Sequence, residues 1–137
     1  MFIDSHAHLE MKEFDRDRAE VIGRARAAGV EVIVTVGTSL SLNRRALSVA
    51  RQYENVYATI GIHPHDAAKA DDKTLHELKT LARDAKVVAY GEIGLDFFRN
   101  ISPREKQIEV FATQLQIAKE LDLPVVIHDR DAHEQTL

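Results

Sequence analysis

The segment Phe2-Ile3-Asp4-Ser5-His6-Ala7-His8-Leu9 begins with apolar residues and contains two histidines near its end. The apolar run predicts a short buried strand over Phe2–Ser5, with polar residues where the strand ends. Alternate side chains of an extended chain share a face, so the imidazoles of His6 and His8 can point toward one ion. Neutral imidazole is the commonest protein ligand for metals. The pair alone is weak evidence, and its meaning depends on the ends of later strands.

Short apolar runs alternate with helical patterns along the rest of the chain. Runs that are β-branched or aromatic and nearly continuous are typical of a parallel sheet buried on both faces. Strands are predicted over Phe2–Ser5, Glu31–Val36, Val56–Ile60, Val87–Tyr90 and Val125–Ile127. Helices are predicted over Phe14–Ala28, Leu42–Tyr53, Lys73–Ala85 and Pro103–Leu121. This alternating order predicts a parallel sheet with right-handed crossovers.

The last of these helices has the clearest boundary residues. The segment Ser102-Pro103-Arg104-Glu105 is typical of a capping box with proline at the first helical position. Ile108, Phe111, Leu115 and Ala118 follow at helical spacing and form one apolar stripe. We therefore expect this helix to pack on the sheet through that stripe.

Two α/β architectures fit the spacing between the predicted strands. One is a doubly wound sheet, and the other is part of a (β/α)₈ barrel, whose complete form needs about 250 residues. The 137 residues fit one domain, 1–137, without a linker or low-complexity tract. The segment Gly91-Glu92-Ile93-Gly94 lacks the pattern of a dinucleotide or P-loop motif, so it does not predict a phosphate loop.

Polar residues follow four of the five predicted strands at the carboxyl end. The first strand precedes the two histidines described above. The later strands precede His63 and His65, then Glu92 and Asp96, and finally His128 and Arg130. In parallel α/β folds, this edge of the sheet is where sites are built. Scattered surface residues would not repeat this placement, so we expect these side chains to form one site.

Composition limits the partners and the compartment. The net charge is −4 and the pI is about 6.0, which does not indicate a broad nucleic-acid-binding surface. A polyanionic substrate therefore needs a bound metal and a few local cations. The chain has no cysteine, no apolar run of membrane-spanning length and no pattern of a secretion signal. We expect a cytoplasmic protein with no membrane partner.

Each predicted ligand also has a purely structural interpretation. His6 and His8 could form a polar turn after an edge strand, but the first strand of a parallel sheet is usually central. Glu92 could cap a helix or form a salt bridge, although a carboxylate in such an apolar segment is almost never buried unpaired. His128 could be a core histidine bonded to the backbone. The constellation as a whole favours the ligand interpretation.

The remaining polar residues have more evenly balanced alternatives. His63 and His65 either line the pocket, as substrate contacts or supports for the ligands, or form a structural turn. Asp96 either orients a ligand or caps the following segment. Arg130 either holds a phosphate by bidentate contact or pairs with the aspartate on one side of it. Substrate contact is the prediction adopted for His63, His65 and Arg130.

Four segments together resemble the TatD family of metal-dependent deoxyribonucleases, which are amidohydrolase-like TIM barrels. They are Phe2-Ile3-Asp4-Ser5-His6-Ala7-His8-Leu9, Gly61-Ile62-His63-Pro64-His65, Gly91-Glu92-Ile93-Gly94-Leu95-Asp96 and Pro124-Val125-Val126-Ile127-His128-Asp129-Arg130-Asp131. The four motifs occur in order, and the resemblance extends over the whole chain. It implies that the chain is the N-terminal portion, about five β/α units, of a TIM (β/α)₈ barrel.

The resemblance also implies a site and an activity. His6, His8, Glu92 and His128 would bind a pair of divalent metal ions, with Glu92 bridging them as the catalytic carboxylate. The resemblance favours Mg²⁺ or Mn²⁺, and a shell of imidazole and carboxylate also suits Zn²⁺. Two ions roughly 3.5–4 Å apart can activate water for phosphodiester hydrolysis. The implied substrate is DNA, as single strands or at 3′ ends.

Complete members of the family have about 250 residues, the size of a full barrel. They carry a further His and an Asp on later strands, and this chain ends at Leu137 without a counterpart of either. We therefore expect weak or absent nuclease activity from the isolated chain. One alternative is an inactive truncated half-barrel that self-associates through open strand edges as a homo-oligomer. The other is a different amidohydrolase-type hydrolase, acting on lactones or cyclic amides.

Overall fold

A computed structural model describes residues 1–137, in which five strands alternate with five helices. The strands are β1 (Phe2–Ala7), β2 (Val30–Val36), β3 (Val56–Ile60), β4 (Val87–Asp96) and β5 (Val125–Arg130). The helices are α1 (Arg18–Ala27), α2 (Leu40–Gln52), α3 (Asp72–Leu81), α4 (Arg104–Glu120) and α5 (His133–Thr136). Two short 3₁₀ helices, Lys12–Phe14 and Pro64–Lys69, follow β1 and β3. None of the helices combines the length and hydrophobicity that a membrane span requires.

The order of strands in the sheet distinguishes the two predicted architectures. All neighbouring strands are parallel, and the order across the sheet, β1-β2-β3-β4-β5, follows the sequence. A doubly wound sheet reverses its strand order at a switch point, and this sheet has no such reversal. Consecutive β/α units of a barrel have this sequential order. The predicted fold class, the N-terminal portion of a (β/α)₈ barrel, is therefore confirmed.

The first and last strands are the edges of the sheet. Phe2 and Ile3 of β1 are 67% and 60% exposed, and Val125 and Ile127 of β5 are each 40% exposed. The expectation that all strands are buried on both faces is wrong for these two. The expectation that the first strand is central is also wrong, because successive β/α units extend the sheet in one direction only.

Two apolar clusters fill the space between the sheet and the helices. The larger cluster joins β3 and β4 to α3 and α4, and it includes Ile60, Leu78, Tyr90 and Phe111. The smaller cluster joins β2 and β3 to α1 and α2, and it includes Ile22, Ile33, Ala46 and Val56. Each large apolar side chain buried in this way stabilises the fold by roughly 1.5–3 kcal/mol. This packing gives the site a rigid support.

α4 differs from its prediction in both its buried face and its first turn. Its buried residues are Gln107, Val110, Phe111, Gln114, Ile117 and Ala118. Ile108 and Leu115, which belong to the predicted apolar stripe, are 44% and 36% exposed instead. The capping box is not formed, because the Ser102 hydroxyl donates to the carbonyl oxygen of His65 and Pro103 is the N-cap residue. The two glutamines on the buried face hold the site, as described below.

β4 continues well past its predicted end because two glycines allow it to lie close to β5. Gly91 and Gly94 have φ values of 149° and 145°, which are positive values that side chains disfavour. A Cβ on Gly91 would lie 2.5 Å from the carbonyl oxygen of Val126, and a Cβ on Gly94 would overlap the carbonyl oxygen of His128. Glu92 lies between the two glycines, so this close approach places its carboxylate next to β5.

Candidate metal centre

Histidines and a carboxylate from distant parts of the sequence meet at the carboxyl edge of the sheet. His6, His8 and Glu92 each place one potential ligand atom within 4.8 Å of the others. The Nε2 atom of His6 lies 3.5 Å from Oε2 of Glu92. His6 belongs to β1, His8 directly follows it and Glu92 belongs to β4. The first and fourth strands therefore supply this group.

A second group shares Glu92 with the first. His63, Glu92 and His128 also place ligand atoms within 4.8 Å of one another. The Nδ1 atom of His128 lies 3.0 Å from Oε1 of Glu92 and 3.1 Å from Nε2 of His63. One oxygen of Glu92 therefore faces His6 and the other faces His128. Glu92 is the residue common to both groups.

His63 lies inside this second group, although the sequence predicts it as a substrate contact. It directly precedes the 3₁₀ helix Pro64–Lys69 and is its N-cap residue. The Nδ1 atom of His63 accepts a hydrogen bond from the backbone N–H of His65 at 3.2 Å. The proton of the neutral ring is therefore on Nε2, which faces His128. Burial, reinforced by the neighbouring His128, lowers the pKa of His63 to about 4.

Asp96, at the end of β4, lies behind two of the histidines. Its Oδ2 atom lies 2.7 Å from Nε2 of His65 and 3.2 Å from Nε2 of His128. Its Oδ1 atom accepts a hydrogen bond from the backbone N–H of Arg99 at 2.8 Å. Burial alone would raise the pKa of this carboxyl, but the hydrogen bonds from Arg99 and the two imidazoles lower it to about 2. Asp96 thus contacts a predicted ligand and also caps the segment that follows.

Glu10 is a residue of the site that no sequence motif indicates. Its side chain is fully buried, and its Oε1 atom lies 3.1 Å from Nδ1 of His8. This hydrogen bond raises the pKa of His8 against the opposing effect of burial. The sequence shows only a carboxylate two residues after a predicted ligand. That spacing does not distinguish a buried glutamate such as Glu10 from an exposed one.

Three buried amide side chains hold the backbone that carries the site. Asn43 of α2 donates to the carbonyl oxygen of Gly61 at 2.7 Å and accepts from its N–H at 3.1 Å. Gln114 of α4 contacts Ile62 in the same way, at 3.1 Å and 2.7 Å. Gln107 binds the backbone N–H and carbonyl at the end of β4. The sequence signal for the two glutamines is their position two turns apart on one face of α4.

Arg130 does not form the ion pair with a neighbouring aspartate that the sequence allows. The aspartate before it pairs instead with His133, at 2.9 Å. The guanidinium carbon of Arg130 lies 4.1 Å from the ring centroid of Phe98, which is 60% exposed. The alternative in which Arg130 pairs with a neighbouring aspartate is therefore wrong. Its positive charge lies at the carboxyl edge of β5 without a carboxylate partner.

The donor set of this cluster fits a divalent metal ion. A cavity of about 240 Å³ lies beside it, lined by His8, Met11, Thr38, His63, His65, Asp66 and Glu92. Imidazole nitrogens suit transition metals such as Zn²⁺, and carboxylate oxygens suit Mg²⁺ and Mn²⁺. Because both kinds of atom converge within 4.8 Å in each group, the cluster can hold a metal.

Comparison with known proteins finds similar sequences over nearly the whole chain. A family model for TatD-related DNases matches residues 3–137. The 3′-5′ ssDNA/RNA exonuclease TatD of Cronobacter sakazakii is 47% identical over 134 residues, covering 98% of this chain and 51% of that protein. The uncharacterized metal-dependent hydrolase YabD of Bacillus subtilis is 44% identical over 137 residues, covering 100% of this chain and 54% of that protein. The chain therefore spans about half the length of these curated relatives.

Solved structures share the fold. The TatD homologue YjjV of Escherichia coli K12 has a TM-score of 0.91 at 39% sequence identity, covering 98% of this chain and 53% of that one. A TatD family hydrolase from Entamoeba histolytica has a TM-score of 0.91 at 28% identity, covering 99% of this chain and 52% of that one. The half-barrel therefore matches about half of each of these structures.

Proposed function

The chain belongs to the TatD-related DNase family, and from that membership we propose that residues 1–137 form one partial barrel domain of a metal-dependent hydrolase. Its proposed reaction is cleavage of phosphodiester bonds in single-stranded DNA. The observation that carries this proposal is Glu92, whose two oxygens face two different groups of histidines. Relatives named as ssDNA/RNA exonucleases support nucleic acid as the substrate class.

The proposed metal ligands are the four residues that the sequence predicts. His6 and His8 would hold one divalent ion and His128 a second, with Glu92 as the carboxylate common to both groups. Mg²⁺ or Mn²⁺ is the first choice, and Zn²⁺ is an alternative that the same donors accommodate. Ions bound in such a site activate water for attack and stabilise negative charge on phosphoryl oxygens.

His63 is proposed as a hydrogen-bond donor to the substrate and not as a metal ligand. Its Nδ1 atom accepts the backbone N–H of His65, so its Nε2 atom carries the ring proton. A nitrogen that carries a proton cannot bind a metal, but it can donate to a phosphate oxygen. His65 lines the same cavity and remains the second predicted imidazole contact.

Arg130 and Phe98 are proposed to bind the nucleotide. Arg130 lies two residues after His128 in β5, and alternate side chains of a strand share a face. Its guanidinium supplies one of the local cations that an acidic chain needs for a polyanion. Phe98 presents an exposed ring on which a base can stack, and such stacking contributes roughly 1–3 kcal/mol.

Metal binding and hydrolysis together test the proposed function. Calorimetric titration with Mn²⁺ should show binding to the wild-type chain and none to Glu92→Gln. His76→Gln, a matched control on the exposed face of α3, should bind like the wild type. Any hydrolysis of a labelled single strand should require both the metal and Glu92. A chain that binds no divalent ion would overturn the proposal, and cleavage of lactones or cyclic amides in place of DNA would favour the alternative hydrolase.

The open edges of the sheet support a separate proposal about partners. β1 and β5 each have one side that pairs with no strand, and both present exposed apolar side chains. Open strand edges tend to pair with other chains. We propose that the 137-residue chain self-associates through these two edges.

A further inference from the structure

We propose that Glu10 is a positioning residue that holds the imidazole of His8 with its Nε2 atom available to a metal. This inference rests on the metal-binding role proposed above for His8. Glu10 is fully buried and belongs to neither group of potential ligands. Carboxylates are almost never fully buried unless they are paired. The partners of Glu10 therefore indicate its role.

Two acceptors surround the Nδ1 atom of His8. Oε1 of Glu10 lies 3.1 Å from it, and the carbonyl oxygen of Val36 lies 3.0 Å from it. Neither a carboxylate nor a carbonyl oxygen can donate, so Nδ1 must carry the proton that they accept. In the neutral ring the lone pair is then on Nε2. His8 is thus held in one tautomer and one orientation before any ion binds.

Glu10 is itself fixed by contacts from two other elements. The hydroxyl of Thr35 in β2, which is also fully buried, donates to Oε2 of Glu10 at 2.6 Å. The Nε atom of Arg45 in α2 donates to the backbone carbonyl oxygen of Glu10 at 2.7 Å. One carboxylate oxygen therefore binds Thr35 and the other binds His8. Because both oxygens have partners, Glu10 supports the proposed metal ligand His8 and does not itself bind the metal.

A second buried carboxylate repeats the arrangement on the other side of the cluster. Oδ2 of Asp96 lies 3.2 Å from Nε2 of His128, which leaves Nδ1 of His128 to face Glu92. The two histidines thus present opposite nitrogens to the cluster, and each has a carboxylate behind its other nitrogen. Carboxylates in this position orient a ligating imidazole and raise its basicity, and their loss weakens metal affinity by roughly 10- to 100-fold.

Affinity for Mn²⁺ is the first test of this role. Glu10→Gln keeps the shape of the side chain but removes its charge, and it should raise the Kd for Mn²⁺ roughly tenfold or more. Glu13→Gln makes the same change on a nearby exposed side chain and should leave the Kd unchanged. A folded Glu10→Gln chain with a lower unfolding temperature but an unchanged Kd would overturn the proposal, because that result is expected of a purely structural residue.

The protonation of His8 is the second test, and it does not require a metal. Nitrogen-15 NMR of the metal-free wild-type chain, recorded at an alkaline pH where His8 is neutral, should show His8 protonated on Nδ1, with His8→Gln identifying its resonances. A neutral ring protonated on Nε2 would overturn the proposal. The measurement remains decisive if Glu10→Gln does not fold. The measurement also distinguishes the proposed metal site from the proposed role of Glu10. A chain that binds no Mn²⁺ but has this tautomer would contradict the metal site and would leave the contact between Glu10 and His8 supported.

Discussion

Two single residues decide how closely β4 and β5 approach each other at the site. Gly91 and Gly94 flank Glu92, and each lies against the backbone of β5 with a positive φ. A methyl group at either position would force the strands apart. The short distance between Glu92 and His128 therefore requires that both glycines lack a side chain.

We expect Gly94→Ala to lower the free energy of unfolding by about 3 kcal/mol, because it combines an unfavourable φ with a clash against backbone. Gly23→Ala is the matched control. Gly23 lies within α1 with no atom near its missing Cβ, so alanine there should stabilise the chain by about 0.5–1 kcal/mol. Urea denaturation of both variants measures the difference. Equal effects at the two positions would show that β4 and β5 are not held as closely as described.

Asp84 should give the fold a measurable dependence on pH. Its carboxylate accepts the backbone N–H of Lys86 at 2.9 Å and binds Nε of Arg51 at 3.0 Å. The hydrogen bond from Lys86, followed by that from Arg51, lowers the pKa of Asp84. A carboxyl with a lowered folded pKa stabilises the fold above its unfolded pKa of about 3.9, and this contribution is lost as the pH falls through the folded value.

Asp84→Asn should therefore lower the free energy of unfolding by about 1 kcal/mol at neutral pH. The difference from wild type should shrink as the pH is lowered below 4. Urea denaturation across this range measures both quantities. Glu54→Gln, at an exposed side chain without a hydrogen bond, should cause little change at any pH. A deficit in Asp84→Asn that is constant with pH would argue against the contribution of its charge.

The sequence identifies some residues of the candidate site and not others, for a physical reason. His6, His8, Glu92 and His128 are chemically distinctive and follow apolar runs, so their meeting at one edge can be predicted from the parallel strand order. Glu10 instead owes its environment to Thr35 and Val36, which lie on another strand. No local pattern encodes contacts of that kind.

At the scale of elements, α2 and α4 do more than cover the sheet. Asn43 and Gln114 each bind both the N–H and the carbonyl of one residue in the segment that follows β3. Gly61 and Ile62, the residues they bind, directly precede His63. Each amide side chain therefore makes the two backbone hydrogen bonds that a neighbouring strand would make if the sheet continued.

Gln114→Leu should lower the free energy of unfolding by about 3 kcal/mol, because it leaves the buried N–H and carbonyl of Ile62 without partners. Gln116→Leu, on the exposed face of the same helix, should change it by less than about 0.5 kcal/mol. Chemical denaturation measures both values. Hydrogen exchange at the amide of Ile62 should also become faster in Gln114→Leu alone. An unchanged exchange rate would mean that other contacts hold this segment.

The hydrophobic pattern predicts the type and order of the secondary-structure elements, but it predicts only some of their boundaries. β3 has its predicted limits, because its apolar run stops where the strand stops. β4 continues through Glu92 to Asp96 because partners in β5 extend the pairing beyond the apolar run. The prediction for α4 assigns its apolar residues to the core and misses Gln107 and Gln114. Hydrogen bonding to a neighbouring loop overrides hydrophobicity at those two positions.

At the scale of the whole molecule, the parallel sheet is open on both sides. Its edges are β1 and β5, and each carries apolar side chains that are 40% to 67% exposed, such as Ile3 and Ile127. Groups of exposed apolar residues on an unpaired strand favour association with another chain. We therefore expect these edges to determine the oligomeric state of the chain in solution.

We expect light scattering at micromolar concentration to show the wild-type chain as an oligomer. The double variant Ile3→Lys/Ile127→Lys places a charge on each edge and should shift the chain toward monomer. Ile108→Lys is the matched control, since Ile108 is an exposed isoleucine of α4 and belongs to neither edge strand. It should leave the oligomer unchanged. A monomeric wild type, or dissociation caused equally by the control, would contradict pairing through the edges.

The sequential strand order also bears on how the polypeptide acquires its structure during synthesis. Every strand of this sheet pairs only with strands adjacent to it in the sequence. Each newly emerged β/α unit can therefore add to the one before it at the ribosome, without waiting for a distant partner. His6 of β1 and His8, which directly follows it, can thus be in place before Glu92 and His128 have been translated.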